Sequence, residues 1–135
     1  KKPKLLVGNN LSIPLPKKTL DLFISINTIH YNTGEKISLA IENFKSLVKK
    51  NGIIIIETPG PKHMIFKKSK KIKNLVYKFK LPFNDHREGI NMGLFDNETQ
   101  LSKLLQKKFK NFEILRRTEK YKTYTYDFFI AICKV

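Results

Sequence analysis

Chemistry-bearing side chains fall in a few short stretches of this chain. His30 and Tyr31 stand side by side just beyond an apolar run, Leu20 to Ile26, with Asn27 and Thr28 between. An imidazole in such a place is suited to taking a proton from a nucleophile near neutral pH; it can equally be a satisfied loop histidine. Asn9 and Asn10 follow a shorter apolar run, where amides can accept and donate hydrogen bonds or simply favour a left-handed turn. His86, Arg87 and Glu88 lie in a long polar loop. Arg87 can clamp a carboxylate or phosphate with two parallel bonds, or form a surface pair with Asp85 or Glu88 that is worth little. His63 reads as a surface residue, and Cys133, in an apolar strand, as a small core residue. One cysteine excludes an internal disulfide and a zinc cluster, and no metal site is expected.

The elements that must position these residues centre on Thr19 to Gly60. Leu20–Ile26 and Ile53–Ile56 are near-continuous apolar runs, as expected of parallel strands covered on both faces. Between them Ile37, Ala40, Ile41, Phe44, Leu47 and Val48 recur at helical spacing over Glu35 to Lys50. Thr33 is the expected N-cap, and Lys49-Lys50-Asn51-Gly52 the helix exit. A parallel return needs such a crossover, nearly always right-handed. In open α/β sheets ligands bind beyond the carboxyl ends of the strands, here Asn27–Tyr31 and Glu57–Gly60.

Before this unit, Lys4 to Gly8 is a short strand candidate, followed by a loop through Pro14 and Pro16. After it, the lysine-rich stretch Lys62 to Lys80 keeps Ile72, Leu75, Val76 and Phe79 at helical spacing, which predicts a short amphipathic helix ended by Pro82. Residues 83–93 read as a loop of the length that often serves as a lid. Asn97 and Gln100 resemble a capping box for a helix burying Leu101, Leu104, Leu105 and Phe109. Phe112–Thr118 and Tyr124–Val135 predict an antiparallel pair.

The 135 residues suit one domain with one core. No apolar run approaches a membrane span, and the lone thiol fits a reducing, cytoplasmic setting. Net charge is +16, yet only Arg87, Arg116 and Arg117 are arginines. Readers of bases and phosphates usually use the planar guanidinium, so the lysine excess is weak support for nucleic-acid binding. Polyanionic partners remain open, and Tyr121, Tyr124 and Tyr126 beside Lys120 and Lys122 can stack on bases.

The order of these pieces resembles the carboxy-terminal half of a class I S-adenosylmethionine-dependent methyltransferase. That family's stretches Gly-Asp-Ala, Leu-Pro-Phe, Phe-Asp and Leu-Lys-Pro-Gly-Gly find counterparts in Gly8-Asn9-Asn10, Ile13-Pro14-Leu15, Leu20-Asp21 and Val48-Lys49-Lys50-Asn51-Gly52. Ile29-His30-Tyr31 matches the end of the family's fourth strand. The resemblance implies an α/β fold: a partial, Rossmann-like, mostly parallel sheet with an antiparallel carboxy-terminal strand pair. It implies methyl transfer from S-adenosylmethionine to a small-molecule acceptor. Asn9, Asn10, Asn27 and Thr28 would contact the cofactor, His30 would serve as catalytic base, and Tyr31, His86 and Arg87 would meet the acceptor. Residues 61–95 would be a substrate-side insertion. An RNA methyltransferase or nucleic-acid-binding protein, and a catalytically silent partner subunit, are the alternatives.

The departures are specific. The family's first strand and Gly-rich loop have no counterpart, and Asn9 stands where the family places an acidic residue. In the family's order the first strand lies beside Leu20–Ile26, so that strand would be left as an exposed edge. The expectation is a preceding segment of roughly 80–100 residues or a partner chain covering it.

Overall fold

The computed structural model describes residues 3, 5–80 and 88–135. Its main sheet has four strands in the order β1-β2-β7-β6: β1 Leu20–Ile26, β2 Val48–Pro59, β6 Asn111–Lys120 and β7 Thr125–Lys134. β1 and β2 run parallel, with Phe23 opposite Ile54 and Ile26 opposite Glu57. β7 is antiparallel to both β2 and β6. The crossover is α1, Glu35–Leu47. Its buried Ile37, Ile41 and Phe44 join Ile54, Ile56, Phe129, Ala131 and Cys133 from one sheet face in the core. Phe23 stacks on Phe44 at 4.4 Å. α3, Glu98–Gln106, adds Leu101 and Leu105 to the same core. Its cap is as the sequence predicts: Asn97 Oδ1 accepts from the Gln100 amide at 3.0 Å.

The opposite sheet face is open. Leu22, Ile24 and Ile26 of β1 are 48%, 51% and 57% exposed, and Ile53 and Leu115 lie on the same face and are exposed too. The expectation that both faces of β1 are covered therefore fails within the described residues. β1 is the edge of the sheet, as the missing-strand argument requires.

Several local expectations are corrected. Residues 5–8 form no strand, and Leu5 and Val7 are almost fully exposed; a short strand needs a ladder partner to persist. α1 ends at Leu47, and Val48 is already extended, because Leu20 pairs with Val48. The left-handed residue of the exit is Asn51, φ 66°. The α1 N-cap is Gly34, not Thr33, and no side chain caps it.

The predicted amphipathic helix is instead a four-residue helix α2, Met64–Lys67, and a hairpin of β3 Ser69–Lys73 and β4 Val76–Phe79. Strand β5, Asn91–Met92, extends it inside the stretch read as loop. Ile72, Leu75, Val76 and Phe79 fit a helical stripe, but tertiary pairing decides. Leu75 takes φ 54° at the turn, while Tyr77 and Phe79 alternate inward with Met92 and Leu94 as a second small core. Tyr77 donates its hydroxyl to Asp96.

Candidate active site

The carboxyl ends of β1 and β2, the start of β7 and the end of β6 converge at one end of the sheet. Asn27 leaves β1 in the left-handed region, φ 52°, a conformation asparagine tolerates better than most residues. Its amide donates to the Glu57 carbonyl and its side-chain nitrogen to Glu57 Oε1, both at 3.2 Å. Glu57 Oε2 pairs with Arg117 at 3.1 Å. Thr28 shares a 2.8 Å hydrogen bond with Ser25, and its carbonyl accepts from Asn10 Nδ2 at 3.1 Å. The Asn10 carbonyl in turn accepts from Asn43 on α1 at 3.0 Å. Asn9 turns inward on its own loop: its Oδ1 accepts from the Leu11 and Ser12 amides at 2.9 and 3.0 Å.

A 3-10 turn, Ile29–Tyr31, follows. Ile29 anchors it in the core, His30 is 2% exposed and Tyr31 is 46% exposed. The His30 and Tyr31 rings lie 4.5 Å apart. The small sheet is tied on here, since Gly93 donates its amide to the His30 carbonyl at 2.8 Å. Only glycine permits this approach: a Cβ on Gly93 would sit 2.2 Å from the Asn32 carbonyl oxygen.

Beyond β2 the loop Gly60–His63 is pinned by Asp127. The Gly60 amide donates to the Asp127 carbonyl at 2.7 Å, and the Lys62 amide to Asp127 Oδ2 at 2.9 Å. Arg116 grips the same carboxylate with two bonds, and Thr118 adds a fourth at 2.8 Å. Burial alone would raise this carboxyl, but the bonds from Arg116, Lys62 and Thr118 outweigh it and hold it below the usual carboxylate value. The loop ends at His63, which is 3% exposed, so the surface placement expected from sequence is wrong. Its Nδ1 accepts from the Ile65 amide at 3.0 Å, which puts the proton of the neutral ring on Nε2.

Asn27, His30, Tyr31, His63, Tyr126 and Phe128 line a cavity of about 350 Å³. A larger, lysine-lined space of about 880 Å³, bounded by Lys45, Lys110 and Lys134, lies at the opposite end of the sheet, away from the strand ends that carry polar groups. Among the described residues no three His, Cys, Asp or Glu side chains are grouped to hold a metal ion.

Of the residues singled out in the sequence, Asn10 and Thr28 meet directly, Asn27 joins Glu57, and His30 and Tyr31 lie on the cavity wall. His86 and Arg87 lie outside the described residues. Sequence reasoning missed His63 and Phe128 as lining residues and the Asp127–Arg116 pair. A signal for the pair existed: an aspartate inside an apolar strand must find a partner.

The fold has close counterparts among solved structures. A possible histamine N-methyltransferase from Thermotoga maritima, itself a SAM-dependent methyltransferase, superposes with a TM-score of 0.66 at 17% identity, over 96% of this chain and 62% of that one. The fold is that of class I S-adenosylmethionine-dependent methyltransferases. A SAM-dependent methyltransferase from Methanosarcina mazei matches at TM-score 0.63 and 15% identity, over 96% of this chain and 65% of its own. The 1,6-didemethyltoxoflavin-N1-methyltransferase of Burkholderia thailandensis, solved with its substrate and S-adenosylhomocysteine, matches at 0.58 and 11%, over 87% of this chain and 44% of its own. The chain thus spans roughly half to two thirds of these structures. No family model and no curated protein matches it in sequence.

The methyltransferase cofactor can be tested against this donor set. Asn10 and Thr28 are drawn together by their hydrogen bond, and Asn27 is fixed beside them. These are neutral amide and hydroxyl groups, Asn27 and Thr28 at the carboxyl end of β1 and Asn10 on the loop tied to it, which suits one wall of a cofactor cleft. Asn9 fits less well, because its acceptor oxygen is engaged by its own turn.

Proposed function

We propose that this chain is the carboxy-terminal part of a methyltransferase domain that transfers a methyl group from S-adenosylmethionine to a small-molecule acceptor. The observation that carries the reading is the parallel β1–β2 pair with polar ends joined through Asn27 and Glu57, in a fold shared with SAM-dependent methyltransferases. The cofactor supplies a methyl group on a sulfonium, already a strong leaving group. Asn10, Asn27 and Thr28 would hold it. The chain's own contribution is alignment of the acceptor and exclusion of water. His30, buried on the cavity wall, takes the acceptor's proton where the nucleophile carries one. Tyr31 and α2, through Met64 and Ile65, bound the acceptor side; His86 and Arg87, the other residues proposed to meet the acceptor, lie outside the described residues.

The open face and edge of β1 support a second part of the proposal. An amino-terminal segment or a partner chain covers Leu22, Ile24 and Ile26 and completes the cofactor cleft. The single buried thiol, Cys133, supports a cytoplasmic setting; among the described residues no helix is long and apolar enough to cross a membrane. Calorimetric titration of S-adenosylhomocysteine into the native polypeptide tests the reading, with binding expected and its loss on Asn10→Ala.

A second reading, RNA as acceptor, draws on the hairpin in which Lys70 and Lys78 face each other across β3 and β4. It requires RNA binding that falls steeply with salt. The silent-subunit alternative requires a native polypeptide that binds no S-adenosylhomocysteine.

A further inference from the structure

The wall of the 350 Å³ cavity is built mostly of rings, His63, Tyr124, Tyr126 and Phe128 in one connected group and His30 with Tyr31 in a second. Tyr126 and Phe128 alternate along β7 with parallel planes, 3° apart in tilt and 6.3 Å between centroids. His63 meets both edge-on, at 5.2 and 4.9 Å. Tyr124 abuts Tyr126 edge-on at 5.7 Å, and Tyr31 closes the other side beside His30. Rings held in mutual edge-to-face contact lose little entropy on binding and offer π-faces to a ligand. The volume is near the lower bound of about 300 Å³ for small-molecule sites, enough for one compact ring system.

Aromatic walls serve two ligand chemistries, cations and flat rings. The charges here separate them. Arg117 already lies over the Phe128 ring, 5.0 Å from its centroid. Glu57, the carboxylate bonded to Asn27 at the cavity, has one oxygen on Asn27 and the other on Arg117. Arg117 thus already balances the charge of Glu57, and the chain's +16 charge repels cations at long range.

We infer that the acceptor is a flat aromatic or heteroaromatic molecule, uncharged or anionic, bound against Tyr31, Tyr126 and Phe128. This deepens the methyl-transfer reading and rests on it for the word acceptor, while the pocket stands on its own geometry. It names a substrate class for which ring stacking, rather than a salt bridge, sets affinity.

The test uses the native polypeptide, 2-naphthoate as a flat anionic probe, decanoate as an aliphatic anion of similar size and phenyltrimethylammonium as an aromatic cation. Ring proton shifts of Tyr31 and Tyr126 are followed by NMR. The expected result is that 2-naphthoate shifts both rings and binds at least tenfold tighter than either other probe. Tyr126→Leu, which keeps an apolar residue on β7, and Tyr31→Ala, at an exposed turn position, should each weaken it roughly tenfold. Equal or tighter binding of decanoate or phenyltrimethylammonium overturns the proposal, as does naphthoate binding that neither variant affects. S-adenosylhomocysteine binding is measured in the same samples. Naphthoate on the tyrosines without S-adenosylhomocysteine binding would sustain the pocket and defeat methyl transfer. The converse would defeat the pocket alone.

Discussion

Arg116 on β6 reaches diagonally to Asp127 on β7, which lies opposite Thr118, with Nε and Nη2 donating to the two carboxylate oxygens at 2.8 and 2.9 Å. Asp127 is fully buried, and the Arg116 side chain is 38% exposed. The pair has a second task, because Asp127 also takes the Lys62 amide and so fixes the loop that delivers His63. Removing a partner from a buried pair costs about 3–5 kcal/mol; the exposure of Arg116 lowers the expectation here to about 2 kcal/mol. Asp127→Asn should lose about that much in urea unfolding at pH 7 and displace the His63 ring signals. A loss under about 0.5 kcal/mol, the range of ordinary surface changes, would show that the loop is held otherwise.

The same pair predicts an acid dependence. The folded pKa of Asp127 lies below its ordinary value. Its stabilisation is therefore complete above the unfolded value of about 3.9 and is lost as pH falls through the lower folded value. The stability gap between the wild type and Asp127→Asn should be constant from about pH 5 upward and shrink below about pH 4. A gap that widens on acidification would contradict this sign.

Gly93 predicts a steric effect. Its missing Cβ admits the Asn32 carbonyl and the Ile37 side chain, which would lie 2.2 and 2.3 Å from it. Gly93→Ala should force the small sheet away from the His30 turn and cost more than about 2 kcal/mol, the scale of an overpacked core site. Amide exchange should rise at Gly93 and Asn32, both of which bond to this turn. Unchanged exchange would show that the sheet is docked by other contacts.

Cys133 sits in the main core at 0% exposure, and burial pushes its thiol up to about 12. A thiol so protonated and enclosed reacts slowly. In the folded protein at pH 8 a thiol reagent should label it only on unfolding, and labelling should be immediate in denaturant. Rapid labelling of the native protein would place it outside the core.

The elements legible in the sequence are those whose signal is local and strong. Leu20–Ile26, the α1 stripe from Ile37 to Leu47 and the Asn97 cap needed only periodicity and capping chemistry, and the β6–β7 pair only alternation. The stretch from Lys62 to Lys80 defeated the same reasoning. Its apolar residues satisfy a helical period, and the choice of a hairpin depends on Met92 and Asp96, beyond any local window. His63 was misplaced for a related reason: a histidine among prolines and lysines looks exposed, and its burial comes from Tyr126 and Phe128 far along the chain. Only the family resemblance links Asn10 with Thr28 in the sequence, because their hydrogen bond joins segments 18 residues apart.

The open face of β1 predicts how the 135 residues behave alone. With Leu22, Ile24 and Ile26 exposed on an unpaired edge, the isolated chain should self-associate in sedimentation experiments, and Ile24→Lys should reduce that association. A monodisperse, stable monomer of these residues would count against a covering segment.

As proposed, the joined carboxyl ends of β1 and β2 form one wall of an S-adenosylmethionine cleft. The most direct measurement is calorimetric titration of S-adenosylhomocysteine into the native polypeptide, with Asn10→Ala and Thr28→Ala beside it. The account predicts saturable binding in the wild type and at least a several-fold weakening in Asn10→Ala, which unties the Asn10–Thr28 link. Absence of binding heat in the wild type, or wild-type affinity in both variants, would contradict it.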